Sequence, residues 1–306
     1  PWESIYSLHL FGRMGWTLAS SDLEEQQRRA RAIVGPAAAD ALYPVHSPIQ
    51  EPLVPNGQFA PRYDVVNIPP PERPVDSTAP AIARAAERPS HPAGARLEAL
   101  GSNNWAVGPA RTAAGHALLA GDQHLEMSLP SIWYEVHLVV PDSLDVYGVT
   151  IPGAPGVLVG FNRDLAWTFT NTEADVQDRY AEVVDNENRP TQYRIDSGWR
   201  PIRLQEERYL DSQGGVVLVD TLRFTHRGPL TREADGRWLS ARWTVLESGL
   251  ELSSFSRAAR AHTAQAWLDS MVAYKAPAQN MLVADRAGTI AIRSTGRFPL
   301  RPVVRG

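Results

Sequence analysis

Gly101-Ser102-Asn103-Asn104-Trp105 stands at a seam in the chain. Taken alone, Gly-Ser-Asn is turn chemistry. On its amino-terminal side, residues 44–92 hold twelve of the 25 prolines, Pro69-Pro70-Pro71 among them, and Ala and Arg crowd residues 79–100. A segment so rich in proline, without hydrophobic periodicity, reads as an extended surface spacer. On its carboxy-terminal side β patterns take over. Ile132 to Val140, Leu144 to Ile151, Gly156 to Phe161, Leu165 to Asn171, Arg179 to Val184, Val216 to Phe224 and Trp238 to Val245 are strand-like, and most are separated by Gly, Pro, Asn or Asp. A chain cut by its own serine would place a new amino terminus at such a seam. A serine there brings its own base, because a free α-amine has a pKa of about 7.7–8.0 and can accept the hydroxyl proton through one water, with no His or Asp.

Helical spacing frames the β-rich region. Leu8, Phe11 and Gly12, then Leu23, Gln27, Ala30 and Val34, predict helix from Trp2 to Tyr43, with Pro44 as the stop. Ala264, Trp267, Leu268, Met271 and Val272 predict a second helical stretch capped by Thr263 and ended by Pro277. Gln279 to Ala284 and Thr289 to Ser294 then read as a hairpin around Asp285-Arg286-Ala287-Gly288. Sheets with a few packed helices make an α+β chain of three parts: helical 1–43, spacer 44–101 and β-rich 102–306.

Composition removes many chemistries. With 30 basic and 34 acidic side chains in 306 residues, the formal net charge is −4, so nucleic acid is not an expected partner. Lys275 is the single lysine and lies outside any glycine-rich phosphate loop. Cysteine is absent, which excludes disulfides, Cys-ligated metals and a thiol nucleophile. No apolar run reaches the roughly eighteen residues a membrane span needs. There is no G-x-S-x-G elbow, H-E-x-x-H or G-x-G-x-x-G, and His116, His124 and His137 match no common metal spacing. The chain opens on Pro1 and closes on Pro302-Val303-Val304-Arg305-Gly306, so both ends read as cut edges.

Several ordered motifs then carry a resemblance. Ser102-Asn103-Asn104-Trp105-Ala106-Val107-Gly108, Gly121-Asp122-Gln123-His124-Leu125 and Pro130 to Leu138 resemble the start of the β subunit of the penicillin acylase family, whose members are N-terminal nucleophile hydrolases. The likeness continues through Gly160-Phe161-Asn162, Ala166-Trp167-Thr168, Thr225-His226-Arg227-Gly228-Pro229, Gln279 to Asp285 and Gly296 to Arg301, while Trp2 to Pro55 resembles the end of the α subunit. The resemblance implies a four-layer αββα sandwich, incomplete in this length of chain. It also implies a precursor cut between Gly101 and Ser102, whose α and β parts form a heterodimer. An exported enzyme is expected, periplasmic or secreted.

Residue by residue, the resemblance makes Ser102 the nucleophile and its freed amine the base. Asn280 is expected as a side-chain oxyanion donor, and the backbone N–H of Asn171 as the second, at a position usually held by a small residue. His124 is expected to orient the nucleophile or its amine through the backbone, and Arg301 to steady Asn280 and the amine. Leu125, Val159 and Phe169 are the implied acyl-pocket wall, apolar throughout. Asp175-Val176-Gln177-Asp178 reads as a turn that could give hard oxygens to a structural Ca²⁺, with Glu25 as the implied further ligand; no organic cofactor is expected. The expected activity is removal of an acyl group from a linear amide: a β-lactam side chain, an N-acyl homoserine lactone or an acylated lipopeptide. The rival readings are a β-rich binding module without chemistry and an inactive fragment of a longer acylase.

Overall fold

The computed structural model describes residues 2–19, 23–44, 101–125, 128–196, 198–247 and 251–300. The chain divides into two compact units, Ser21–Pro92 and a larger one made of Pro1–Ser20 with Ala93–Gly306.

The smaller unit contains α2 (Leu23–Val34) and α3 (Pro36–Leu42). Pro36 occupies the first turn of α3, where its missing N–H costs nothing. Arg31 pairs with Asp40 across the two helices, and Glu25 pairs with Arg28 at 2.6 Å and Arg29 at 2.9 Å.

The larger unit begins with α1 (Ser4–Ala19) and resumes with a hairpin, β1 (Ser102–Val107) and β2 (Leu118–Gln123). Its main sheet has six antiparallel strands. They are β3 (Tyr134–Val140), β4 (Leu144–Thr150), β5 (Val159–Asn162), β6 (Leu165–Asn171), β14 (Gln279–Asp285) and β15 (Ile290–Thr295), in the spatial order β15-β14-β6-β5-β4-β3. Two helices, α4 (Glu251–Ala258) and α5 (Ala264–Ser270), cover one face. A three-stranded sheet runs β12 (Leu230–Arg232), β13 (Trp238–Trp243), β7 (Gln177–Glu182). Two further hairpins are β8 (Gln192–Ile195) with β9 (Gly198–Pro201), and β10 (Arg203–Leu210) with β11 (Val216–Phe224).

Side-chain alternation shows why β6 and β14 form the centre. Trp167, Phe169, Met281 and Val283 share one face and enter the apolar core with Phe255 of α4 and Trp267 of α5. Thr168 and Thr170 turn to the other face and are also buried. Against that face lies the β1–β2 hairpin, which packs across β6 and β14. β6 is thus covered on both sides, with apolar side chains on the helix face and threonines under the hairpin.

Burial of Asp285 is explained by the backbone it serves. Its carboxylate accepts from Ala264 N at 3.0 Å and Thr289 N at 2.9 Å, joining the start of α5 to the β14–β15 turn. Thr263 caps the same helix through Ala266 N at 3.2 Å.

Four readings of the sequence change. Gly-Ser-Asn is not a turn: Ser102 is the first residue of β1, paired with Gln123. The Gly156 to Phe161 strand starts only at Val159, because Gly156 has a φ of 80°. Asp175 to Asp178 does not close a turn, since β7 begins at Gln177 and Asp178 lies within it opposite Arg242. Strands β2, β8, β9, β10 and β12 and helix α4 were not anticipated. Among the described residues no helix is long and apolar enough to cross a membrane.

Candidate active site

Strand periodicity points Ser102 inward. Residues 102 and 104 are half-buried while 103 and 105 are exposed, so Ser102 and Asn104 share the face of β1 that lies on the main sheet. Asn104 Nδ2 donates to the Asn280 carbonyl at 3.4 Å, tying β1 to β14. Opposite Ser102, Gln123 Nε2 donates to Thr168 Oγ1 at 2.9 Å and to the Phe169 carbonyl at 2.7 Å. These bonds hold the hairpin on the polar face of β6. Gly121 lets it come close: a Cβ there would sit 1.9 Å from Thr168 Oγ1.

Around the seam, the His124 N–H donates to the Gly101 carbonyl at 2.9 Å. The His124 ring turns elsewhere and meets Asp122 Oδ2 at 2.9 Å near the surface. The backbone of this residue, not its imidazole, engages the Gly101–Ser102 peptide.

Asn280 faces Thr170 across the β6–β14 ladder. Its Nδ2 donates to Thr170 Oγ1 at 3.3 Å and to the Asn171 carbonyl at 3.4 Å, while Ser294 Oγ donates to its Oδ1 at 2.6 Å. Ser294 thereby fixes which end of the amide donates toward β6. The Asn171 side chain points the opposite way, donating to the Leu18 carbonyl of α1 at 2.5 Å and accepting from Gln279 Nε2 at 3.3 Å.

Ser102, His124, Asn171 and Asn280 are therefore supplied by β1, the end of β2, β6 and β14, which pack together. Phe169 and Val159 meet in the helix-side core, Phe169 with its ring 5.9 Å from Phe255 and 6.1 Å from Trp267. Leu125 is half-buried and is not a member of that cluster. Arg301 lies outside the described residues.

Of the expected calcium ligands, Gln177 and Asp178 lie at the start of β7 and Asp175 just before it. Asp175 is exposed, Asp178 is half-buried in β7, and Gln177 turns its side chain inward, where neither amide atom finds a partner. Glu25 belongs to the smaller unit, paired with Arg28 and Arg29. Among the described residues no group of three His, Asp or Glu is placed to hold a metal ion. The chemistry below uses the chain's own groups.

Gln123, Thr168, Thr170 and Ser294 were missed as positioning residues. Gln123 and Thr168 stood inside quoted motifs, but which strand faces which is a tertiary property. Ser294 carried no signal at all.

The family model for penicillin amidase matches residues 1–306. The chain belongs to the penicillin amidase family. Among curated penicillin amidase relatives, it is 33% identical over 229 residues to the acyl-homoserine lactone acylase QuiP of Pseudomonas aeruginosa, a match covering 69% of this chain and 27% of that protein. It is 28% identical over 320 residues to penicillin acylase 2 proenzyme of Pseudomonas sp. strain SE83, covering 100% of this chain and 38% of that one. A solved structure, a thermostable penicillin G acylase from Alcaligenes faecalis, superposes with a TM-score of 0.58 at 27% identity over 66% of this chain and 37% of that chain. The chain thus spans about a quarter to two-fifths of these proteins' lengths. That likeness assigns the N-terminal nucleophile hydrolase fold of the penicillin amidases.

Proposed function

We propose that the full-length protein is an amide hydrolase whose nucleophile, Ser102, is released by self-cleavage after Gly101. The observation that carries this is the His124 N–H bonded to the Gly101 carbonyl at 2.9 Å, next to a serine turned onto the face that holds Asn280. A backbone N–H on a carbonyl oxygen is the arrangement that stabilises charge when that carbonyl is attacked. In the cleavage, Ser102 Oγ adds to the Gly101 carbon and the C–N bond breaks. Water then hydrolyses the ester to leave a Gly101 carboxylate and the Ser102 α-amine. The α and β parts stay together as a heterodimer.

In turnover the freed amine takes the Oγ proton and Oγ adds to the substrate carbonyl. The tetrahedral oxyanion is met by Asn280 Nδ2, released from Thr170, and by the Asn171 N–H. Collapse expels the amine product, which receives the proton, and water returns the acyl group as a carboxylate. Arg301 is the proposed support for Asn280.

N-acyl homoserine lactones are the first substrates to try. Support comes from the relatives bearing the name acyl-homoserine lactone acylase, at 33% identity for Pseudomonas aeruginosa and 35% for Pseudomonas syringae pv. syringae, against 28% for the penicillin acylase 2 proenzyme. The test is a panel of N-acyl homoserine lactones from short to long chain, with penicillin G and an acylated lipopeptide, given to the full-length gene product and to Ser102→Ala. Hydrolysis of one class by the native protein and none by the variant is expected. Equal hydrolysis by both would overturn the assignment of Ser102.

A further inference from the structure

Asn171 is the last residue of β6, at a position where a small residue is expected. Its side chain makes a contact that a small residue could not reach. Nδ2 donates to the Leu18 carbonyl at 2.5 Å, and Leu18 stands in the last turn of α1. The last four carbonyls of a helix have no partner within it, so this amide closes one of them from a neighbouring strand. Gln279 sets the direction. Its Nε2 donates to Asn171 Oδ1 at 3.3 Å and to the Ala278 carbonyl at 2.8 Å, which leaves Nδ2 as the end that faces α1. Gln279 is itself buried.

The backbone of Asn171 faces elsewhere. Thr172 N donates to the Ala278 carbonyl at 3.5 Å, and Asn171 stands opposite Gln279, one step along the same register. Pairs that exchange ladder bonds alternate with pairs that do not, so the Asn171 N–H points away from β14. On the other side, β5 begins only at Val159 and pairs with β6 at Ala166 and Trp167. Among the described residues, then, neither neighbouring strand holds this N–H by a ladder bond. What holds the strand end is the side chain.

Helix α1 is a firm anchor. Phe11 is 7% exposed with its ring 5.9 Å from Phe255, Trp16 meets Trp243 edge-on at 5.7 Å, and Ser7 Oγ donates to the Gly153 carbonyl at 2.7 Å. Gly15 lies so close to Val245 that a Cβ there would sit 2.7 Å from Val245 Cγ2.

We propose that Asn171 is a positioning residue: by gripping α1, its side chain fixes its own backbone N–H where the oxyanion forms, so a helix from the α part holds a donor of the β part. This rests on the reading of Ser102 as nucleophile and of the Asn171 N–H as donor. The oxyanion develops only as the reaction proceeds, so a donor out of place slows turnover and leaves substrate binding as it was.

The test uses the full-length gene product as native protein, Asn171→Asp, Asn171→Ala and Ser102→Ala. Aspartate has the shape of asparagine and still accepts from Gln279, but its carboxylate cannot donate to Leu18. The probe is whichever N-acyl homoserine lactone, or penicillin G, the native protein turns over fastest. Both Asn171 variants are expected to show the cut at Gly101–Ser102 by intact mass and a native-like melting curve. Their kcat is expected to fall roughly 10- to 100-fold with KM within about twofold of native, the scale of a misplaced group and not of a lost binding contact. Native kcat in both variants, a change in KM alone, or loss of the fold or of the cut in both would each overturn the proposal, the last by making the bond a structural one. Ser102→Ala separates the two levels. Hydrolysis by that variant would sink the nucleophile reading itself, whereas an inert Ser102→Ala beside fully active Asn171 variants would sink only the role given to Asn171.

Discussion

The backbone N–H of His124 donates to the carbonyl oxygen of Gly101 at 2.9 Å, while the His124 ring is turned away onto Asp122. If that N–H stabilises the charge that develops when Ser102 attacks, removing the donor and removing the ring have different effects. His124→Pro lacks the N–H and is expected to slow self-cleavage by roughly 10²–10³-fold, the usual scale for one oxyanion donor. His124→Ala keeps the N–H and is expected to cleave within a few-fold of native. A time course of intact mass after synthesis checks both, with a melting curve to show that each variant is folded.

Asn280 is given its direction by Ser294, which donates to Oδ1 and leaves Nδ2 facing β6. Asn280→Ala is expected to lower turnover by about 10²–10³-fold with the cut at Gly101–Ser102 retained. Single-turnover kinetics on the processed enzyme measures this. Unchanged turnover would remove Asn280 from the reaction.

Gly121 is required by the approach of β2 to β6. An alanine Cβ would meet Thr168 Oγ1 at 1.9 Å, and Thr168 is 1% exposed with nowhere to turn. Gly121→Ala is expected to cost about 1–3 kcal/mol, as overpacking usually does, and to weaken the Gln123 bonds that seat the hairpin. Urea denaturation gives the number, and an unchanged midpoint would contradict the close approach.

Phe169 and Leu125 were both expected on the acyl-pocket wall, but Phe169 sits in the core with Phe255 and Trp267. Phe169→Ala is expected to destabilise the fold by about 3–5 kcal/mol. Leu125→Ala, at a half-buried position outside that cluster, is expected to shift acyl-chain preference with a much smaller loss of stability. Chemical denaturation of both variants, paired with a chain-length panel, tells the two roles apart.

Asp185 holds the loop that leads into β8. It accepts from Thr191 Oγ1 at 2.6 Å, Thr191 N at 2.9 Å and Gln192 N at 3.0 Å, and these bonds, the Thr191 hydroxyl first, lower its pKa to about 2. The unfolded carboxyl titrates near its ordinary value, about 3.9, so its contribution is complete above that pH and lost as pH falls from there toward 2. Asp185→Asn is expected to be less stable than native at neutral pH, with the gap closing through that window. Thermal melts across the acid range check the sign.

The centre of the fold was legible because its residues obey simple periods. Leu165 to Asn171 and Gln279 to Ala284 alternate apolar side chains on the core face, so both strands were read close to their true bounds; Ala264, Trp267 and Leu268 follow a capping Thr263, and that helix ends at Ser270, short of Pro277. Arg203 to Leu210 went unread because a strand exposed on nearly all of its length has no apolar alternation to read. Ser102 looked like a turn since Gly-Ser-Asn favours one locally; pairing with Gln123, some twenty residues on, overrides that preference. The motifs point to Ser102 and Asn280, the residues proposed to act themselves. Gln123, Thr168 and Ser294 make their hydrogen bonds across strands, so no local pattern announces them.

The most direct test is the intact mass of the full-length gene product, native and Ser102→Ala, with the amino-terminal residue of each fragment identified. Two chains from the native protein, the second beginning at Ser102, and one uncut chain from the variant are expected. A native protein that remains one chain while hydrolysing amides would contradict the mechanism, and one that remains uncut and inert would favour a β-rich binding module.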